Sequence, residues 1–498
     1  MPLGSGELPS SNDGPKKKAI VDFVTCVGKR RGPDFVLETN RKSARWLGGC
    51  VALVALLAPA ALQAQGDFNL PPAGMLTNYD RVPIGQREGL EAGAYVARTN
   101  DAAAPWFNPA GLALSEKSGL NGSSNAYEVT SVTVEGLGTA KGSTRFSPTG
   151  TYLGGVLGAP ILKNPKLRLG FYYAKPQSWS PSVLDGALQL PSGGGTEVFS
   201  YSSSSGFSTI IPGLAAGYRA GDRFRVGLNL GYAITNINQV QSISDRLVLP
   251  GGSTTALRSF VTDGNTTQLL FGGGVQYDLS PKFVLGALVV SPGLRLGGSS
   301  KIEFQNSIFS GAGSREVTFR DEDATFRYKI PLRITAGAAA RLGQFELEGD
   351  LKFHAKESSY DLLASDSLAN VLVTDANGIP TLSTLTFAPV VEQSRAVYNL
   401  AFGANYALSK AFRIHAGFFT DDSPIENPAT TIFRSVDLTG ASAGVSFTGA
   451  HLSGSLGVSW TGGTTEDRQI GPSIGGIQTT TAIKVSTFNL MYAFSYAF

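Results

Sequence analysis

The C-terminal stretch, residues 487–498, constrains the possible folds more than any other part of the chain. Its odd positions carry mostly small or polar side chains, and its even positions are all aromatic or leucine: Phe488, Leu490, Tyr492, Phe494, Tyr496 and Phe498. Successive side chains of a strand point to opposite faces, so this stretch predicts a strand with one large apolar face. In water such a strand would be an adhesive edge. In a transmembrane barrel the same face contacts lipid, and the edge pairs with another strand.

Strands with one apolar and one hydrophilic face recur along the chain. In residues 345–356, apolar side chains such as Phe345 and Leu347 alternate with charged ones such as Glu348 and Asp350. A soluble sandwich would have to bury one of these faces at a cost, whereas a barrel places the charged face in a wet lumen. Similar alternation begins at Phe224, Phe326, Tyr398, Phe412 and Leu452. The pattern predicts an all-β fold, a transmembrane barrel of about fourteen antiparallel strands.

The connections between these strands alternate in length, as in membrane barrels with short periplasmic turns and long outer loops. Tight turns are predicted at residues 220–222, 280–281, 343–344, 409–410 and 448–450. Long polar loops are predicted at residues 177–206, 241–266, 298–324, 357–395, 421–431 and 462–480. The last strand must end on the periplasmic side, so an even strand number places the start of the first strand there as well.

The N-terminus has the features of an exported protein. A basic stretch at residues 41–45 precedes an apolar run at residues 46–58, and Leu62-Gln63-Ala64 fits a cleavage site. These features predict a signal peptide at residues 41–64. Residues 1–40 are a polar N-terminal extension, and we expect the true translation start to lie within it, near Val36 or Leu37.

The composition excludes several other classes of protein. Charged residues make up 16% of the 498 residues and the mean hydropathy is +0.03, far below that of a helical membrane protein. The net charge of +3 is too small to indicate nucleic-acid binding. Both cysteines, Cys26 and Cys50, precede the predicted cleavage site. No disulfide or thiol chemistry is therefore expected in the mature chain.

Residues 65–118 do not alternate, and Asn108-Pro109 within them indicates a tight turn because proline restricts both its own backbone and that of the preceding residue. The segment also contains Ala94-Tyr95-Val96-Ala97, Asp101-Ala102 and Phe107-Asn108-Pro109-Ala110-Gly111-Leu112-Ala113. In these residues it resembles the FadL family, outer-membrane transporters of long-chain fatty acids and aromatic hydrocarbons. The position of the last motif, between a signal peptide and the first predicted strand, strengthens the match.

The resemblance implies a domain organisation and a function. Residues 65–118 would form a hatch that plugs a barrel of residues 119–498, with the hatch motif at Asn108, Pro109, Ala110 and Gly111. A hydrophobic ligand would bind first to apolar surface of the outer loops and then in an apolar pocket beside the hatch. It would leave sideways into the membrane through an opening in the wall. No cofactor is expected, and the chain is expected to be a monomer.

The C-terminal aromatic ladder resembles the signal that the barrel-assembly machinery reads in outer-membrane proteins of Gram-negative bacteria. The residues concerned are Tyr492, Phe494, Tyr496 and Phe498. The resemblance implies a location in the outer membrane, where lipid and lipopolysaccharide would surround the barrel.

A fatty-acid ligand would need a cation for its carboxylate, whereas an aromatic hydrocarbon would not. Five cations are predicted to face the lumen: Arg327, Lys329, Arg333, Lys352 and Lys356. They could instead pair with Glu346, Glu348 and Asp350 as part of the lumen structure. The sequence does not separate the two substrate classes.

No catalytic or metal-binding motif is evident, so the chain is not expected to be an enzyme. The three histidines, His354, His415 and His451, lie on separate predicted strands, and the acidic run at residues 321–323 lacks the spacing of a calcium loop. Two alternatives to transport stay open. One is a structural or surface-interaction barrel whose long loops bind partners, and the other is an outer-membrane lipid hydrolase with one of these histidines in its active site.

Overall fold

The computed structural model describes residues 67–68, 75–115, 117–134, 138–141, 149–158, 163–179, 184–192, 194–426, 431–467 and 481–498. The predicted N-terminal extension and signal peptide lie outside these residues. Within the described part, no helix is long and apolar enough to cross a membrane.

Strands dominate the described residues, and the helices among them are short and lie between residues 87 and 114. The helical elements are α1 (Arg87–Leu90), α2 (Ala104–Phe107) and a 3-10 helix (Pro109–Leu114). The strands are β1 (Asp67–Phe68), β2 (Gly119–Val134), β3 (Gly138–Lys141), β4 (Thr149–Leu157), β5 (Leu167–Trp179), β6 (Leu184–Ser192), β7 (Gly195–Arg219), β8 (Phe224–Leu249), β9 (Gly252–Asp278), β10 (Phe283–Val290), β11 (Leu294–Ser310), β12 (Gly313–Phe326), β13 (Arg333–Leu342), β14 (Phe345–His354), β15 (Glu357–Ala364), β16 (Leu368–Asp375), β17 (Pro380–Phe387), β18 (Val390–Ser394), β19 (Val397–Ala407), β20 (Phe412–Asp421), β21 (Leu438–Thr448), β22 (Leu452–Asp467) and β23 (Thr481–Ala497).

The wall of the molecule is a closed barrel of 14 antiparallel strands. Around the barrel the strands are β2, β4, β5, β7, β8, β9, β10, β13, β14, β19, β20, β21, β22 and β23. The last strand pairs with the first, with Tyr496 opposite Leu120, so the wall has no free edge. The predicted all-β barrel of about fourteen strands is confirmed.

The outer face of the wall is apolar and the inner face is polar, as the alternation predicts. On β23, Phe494 and Tyr496 are exposed on the outside, whereas Ala493 is buried. On β14, Phe345 is exposed and Glu348 is buried. An exposed apolar face of this kind is stable in lipid, where the backbone groups are satisfied by the closed ladder of hydrogen bonds.

One segment has the opposite orientation to the one predicted. Phe326 and Tyr328 were predicted to face lipid, but both are buried inside, with the Tyr328 ring 5.0 Å from that of Phe207. The reason is a break in the strand: β12 ends at Phe326 and β13 begins at Arg333. Pro331 lies in this break, and proline interrupts a strand ladder because it lacks an N–H group. The alternation therefore changes face across the break.

The predicted tight turns are confirmed, because each lies between the end of one wall strand and the start of the next. The predicted long loops are wrong in large part, since most of their described residues form strands. β8 and β9 run for 26 and 27 residues, well past the lipid-facing band. We call β6, β11, β12, β15–β18 and the distal halves of β7–β9 the outer extension. Buried aromatic residues form its core: Phe199, Phe207, Phe260, Phe304 and Phe319.

The N-terminal part of the chain runs through the barrel. Asp67 of β1 pairs in parallel with Thr386 of β17, and Met75 is fully buried in the core of the outer extension. Farther along, α1 packs against β20–β22 and the 3-10 helix packs against β7–β9. The chain then enters the wall at Gly119. We call residues 75–115 the hatch segment.

Candidate functional site

Asn108 connects the hatch segment to the wall. Its side chain is fully buried, and its Nδ2 donates hydrogen bonds to the carbonyl oxygens of Val96 at 2.8 Å and Val275 at 3.0 Å. Its Oδ1 accepts a hydrogen bond from the N–H of Ala110 at 3.1 Å, which caps the 3-10 helix. One amide thus joins two turns of the hatch segment and β9.

Glycines of the wall make room for the motif at residues 108–111. A Cβ at Gly227 would lie 2.2 Å from the carbonyl carbon of Pro109, and one at Gly274 would lie 2.1 Å from Asn108 Oδ1. Gly111 packs in the same way against Thr99 within the hatch segment. The close approach of the two backbones explains why neither surface tolerates a side chain here.

Arg98 is the centre of a buried ion-pair network. It contacts Glu91 in the hatch segment and two carboxylates of β14, with Nε 2.6 Å from Glu348 and Nη1 3.7 Å from Glu346. The side chains of Arg98, Glu91 and Glu348 are almost completely shielded from solvent. Because isolated buried charges are costly, each member of this network depends on the others.

The acidic face of β14 binds the hatch segment along its length. Asp350 accepts hydrogen bonds from the backbone N–H groups of Tyr95 at 2.9 Å and Val96 at 3.2 Å, and Glu348 accepts one from Ala97 at 2.6 Å. The sequence allowed these carboxylates to pair with the five predicted cations. Their direct contacts are instead mainly with the hatch segment.

Asp80 anchors the beginning of the hatch segment to the wall. Its carboxylate lies 3.2 Å from Lys352 Nζ and 3.1 Å from His354 Nε2, and it accepts a hydrogen bond from Asn399 at 2.8 Å. Burial alone would raise the pKa of Asp80, but Lys352 and His354 hold it well below its usual value. The ring of Tyr79 stacks on His354 with 4.3 Å between centroids.

Two adjoining cavities lie between the hatch segment and the wall, with volumes of about 70 Å³ and about 50 Å³. The larger is lined by residues 79–84 of the hatch segment together with wall residues. Four residues line both cavities: Tyr79, Trp106, Pro176 and Arg333. The smaller cavity is lined mostly by aromatic and aliphatic residues, whereas the larger is also lined by charged ones: Asp80, Arg81, Arg333, Asp350 and Lys352. Apolar walls with a few placed polar groups are typical of small-molecule sites.

Arg333 is the cation shared by the two cavities. Its guanidinium carbon lies 4.9 Å from the centre of the Trp106 ring, within the range of a cation–π contact. Its Nε is buried and has no hydrogen-bond partner in the part of the chain that the structure describes. Lys352 also lines the larger cavity, but its charge is paired with Asp80.

The other three predicted cations line neither cavity. Lys329 lies 3.5 Å from Glu357 and 4.6 Å from the centre of the Tyr360 ring, in the outer extension. Arg327 and Lys356 are exposed. The predicted lumen position of Arg327 is wrong, because the strand break reverses the faces of this segment.

Several lining residues were missed from the sequence. Arg81 lines the larger cavity with its guanidinium carbon 5.1 Å from the centre of the Trp179 ring, and Tyr79 lines both cavities. Trp106 and Pro176 were missed as well. The sequence does contain a signal for Trp106 as a lining residue, because Trp106 lies two residues before the Asn-Pro turn. Pro176 was visible as a proline inside a strand.

Glu91, His415 and Ser446 form hydrogen bonds in the order of a hydrolase triad. His415 Nδ1 lies 2.7 Å from Glu91 Oε1, and its Nε2 lies 2.8 Å from Ser446 Oγ. However, Ser446 is buried and lines neither of the two cavities, and Arg98 also binds Glu91. A nucleophile needs access to a carbonyl carbon, so this arrangement fits a contact that fixes the hatch segment. In the described ranges, no group of three or more His, Cys, Asp or Glu side chains is placed so that it could hold a metal ion.

The architecture can be compared with solved structures. The P. putida toluene transporter TodX aligns with a TM-score of 0.56 at 14% identity, over 86% of this chain and 99% of that chain. A Pseudomonas aeruginosa FadL homologue aligns with a TM-score of 0.53 at 14% identity, over 85% and 99%. This chain has the FadL-type barrel fold. The Ralstonia pickettii toluene transporter TbuX aligns with a TM-score of 0.52 at 14% identity, over 84% and 99%.

At this level of identity the likeness concerns the FadL-type fold alone. No protein-family model matches the chain, and no curated protein matches it. The barrel and the short N-terminal helices are therefore shared with these transporters, whereas the chemistry of the site must be argued from this chain's own residues.

Proposed function

We propose that this protein is an outer-membrane channel of a Gram-negative bacterium for the passive uptake of hydrophobic small molecules that carry one acidic group. The apolar exterior requires a membrane, and a closed barrel with long outer strands is typical of the outer membrane. Proteins with the same fold include toluene transporters and a FadL homologue. The hatch segment occupies the barrel interior, which argues against a general water-filled pore.

The observation that carries the ligand class is the position of Arg333 between the two cavities, the smaller of which is mostly apolar. Transfer of an apolar molecule from water into such a site is favourable, because it removes apolar surface from water. Arg333 is half-buried and makes no ion pair with a carboxylate in the described ranges, so an anion within hydrogen-bond distance of its guanidinium group is also favoured. An amphiphile with a carboxylate and an apolar body satisfies both requirements, and a long-chain fatty acid is the simplest example.

Uptake of radiolabelled oleate and toluene by cells with and without the protein tests the proposal. We expect the protein to increase oleate uptake more than toluene uptake. Replacing Arg333 by leucine should lower oleate uptake about tenfold, since a hydrogen bond to a charged group contributes about 1.5–3 kcal/mol. Toluene uptake should stay within about twofold, because no carboxylate is involved. Lys356→Leu removes an exposed cation that lines neither cavity and serves as the control.

Three results would contradict this assignment. An equal loss of oleate and toluene uptake in Arg333→Leu would mean that Arg333 maintains the structure and does not bind the acid. Unchanged uptake of both compounds in cells lacking the protein would favour a surface-interaction barrel. Phospholipid hydrolysis that disappears in Ser446→Ala would favour the hydrolase.

The proposed exit for the ligand lies in the wall at Pro176. The pairing of β4 with β5 ends at Tyr152 and Ala174, and the register of β5 with β7 shifts between Ala174 and Gln177. Pro176 has no N–H group to continue the ladder, and it lines both cavities. A Cβ at Gly150, on β4 just beyond the last pair, would meet no atom within 4 Å.

Replacing Pro176 by valine tests this exit, since valine supplies the missing N–H group and favours strand pairing. Uptake of both oleate and toluene should fall several-fold, because the exit serves every ligand. Pro212→Val is the matched control, as Pro212 lies on the neighbouring strand β7 and lines neither cavity. Full uptake in Pro176→Val, with the protein folded in the membrane, would place the exit elsewhere.

A further inference from the structure

Two arginines lie on the outside of the protein where its apolar band ends. Along β9 the outward-facing side chains change from Leu269 to Thr267, and Arg295 of β11 is in register with Gln268 between them. Arg327 follows the end of β12 at the same height. The two segments are adjacent, because Arg295 Nη2 lies 3.5 Å from the carbonyl oxygen of Phe326.

Both arginines are exposed, and no ion pair with a carboxylate is found for either in the described ranges. By contrast, Arg320 in the same outer extension lies 3.2 Å from Glu303 and 2.5 Å from Glu322. Partial burial and the positive charge of Arg327 both lower the pKa of Arg295. The two guanidinium groups therefore repel each other, and an anion between them would remove this repulsion.

Apolar side chains flank Arg295 on both sides. Leu294 and Leu296 are 59% and 54% exposed, so three successive residues face outward. A regular strand would turn the middle residue inward, but the register of β11 with β9 shifts between Arg295 and Gly297. Such an irregularity redirects side chains. Here it places a cation between two leucines at the edge of the lipid.

We infer that Arg295 and Arg327 bind a phosphate group carried by a lipid of the outer leaflet, with Leu294 and Leu296 against its acyl chains. The planar guanidinium group binds phosphate oxygens in pairs, and two such groups match the charge of a phosphate monoester. In the outer leaflet of a Gram-negative outer membrane this lipid is lipopolysaccharide. The inference requires the outer-membrane location, but it does not depend on which ligand the channel carries.

Binding of lipid A to the purified full-length protein in detergent, followed by native mass spectrometry, tests the inference. The double variant Arg295→Gln/Arg327→Gln should bind lipid A at least about tenfold more weakly, since two charge-assisted contacts are lost. The control Lys301→Gln/Arg320→Gln also removes two cations from the outer extension. It should bind lipid A within about twofold of the unchanged protein. The mobility of the folded barrel on unheated gels verifies folding of every variant.

Dephosphorylated lipid A and inorganic phosphate separate the possible sources of binding. Weak binding of dephosphorylated lipid A, together with failure of inorganic phosphate to compete at equal concentration, would support a lipid-borne phosphate. Equal binding of the two lipids would overturn the inference, as would an equal loss in both double variants. Competition by inorganic phosphate alone would mean a simple anion site. Oleate uptake is measured separately. A negative result for lipid A binding therefore leaves the proposed transport function unaffected.

Discussion

Replacing Arg98 by methionine is expected to loosen the hatch segment while leaving the barrel closed. The change removes the cation that Glu91, Glu346 and Glu348 share, and Glu348 is left without an ion-pair partner in the described ranges. His415 and Arg413 stay beside Glu91 and Glu346. Removing one partner of a buried ion pair typically costs about 3–5 kcal/mol. The wall should survive, because its strands form a continuous ladder that does not include Arg98. Hydrogen exchange at the amides of residues 94–99 should accelerate, and cells should become more permeable to hydrophilic solutes.

Two further variants sharpen this test. Arg320→Met removes an arginine that also bridges two carboxylates, but its side chain is 66% exposed, so exchange and permeability should not change. Adding Glu348→Gln to Arg98→Met should restore part of the protection, because one buried charge is removed and the amide oxygen can still accept from Ala97. If the amides of residues 94–99 still exchange slowly in the single variant Arg98→Met, the ion-pair network does not hold the hatch segment in place.

The wall could be predicted from the sequence because the pattern that specifies each strand lies within a few neighbouring residues. A strand such as β14 alternates between lipid-facing residues such as Phe345 and inner residues such as Glu348, and this period of two can be read over a few residues. The exception is the segment before Pro331: the proline breaks the strand, and Phe326 and Arg327, which precede it, have the opposite faces to those predicted. The alternation of side chains predicts which face each residue occupies only within one continuous strand.

The outer extension and the hatch contacts could not be predicted in this way. Polar residues dominate the predicted loops, so their period-two pattern of buried aromatic residues was not recognised as strands. The network around Arg98 joins residues about 250 positions apart in the chain. No local pattern indicates which buried carboxylates meet which cation, since that depends on the register of the whole barrel. Arg333 was predicted to face the lumen, but its place between two cavities depends on Trp106 and Pro176.

Replacing Gly227 by alanine is expected to displace the 3-10 helix of the hatch segment from the wall. The new Cβ would lie 2.2 Å from the carbonyl carbon of Pro109 and 2.3 Å from the nitrogen of Ala110. Both are backbone atoms, so no side-chain rotation relieves the overlap, and overpacking typically costs about 1–3 kcal/mol. The hydrogen bonds of Asn108 to the wall should be lost, and Ala110 should exchange its amide hydrogen faster.

The matched control for this variant is Gly273→Ala, one strand away on β9. A Cβ at Gly273 would have Leu228 Cδ2 at 3.8 Å as its nearest neighbour, an ordinary contact on the lipid side. Exchange at Ala110 should therefore be unchanged in the control. Displacement by Gly227→Ala should also leave protection at residues 94–99 largely intact, because Arg98 and β14 hold that part of the hatch segment separately. If the amide hydrogen of Ala110 exchanges at the same rate in both glycine variants, the hatch motif does not pack against β8 in the folded protein.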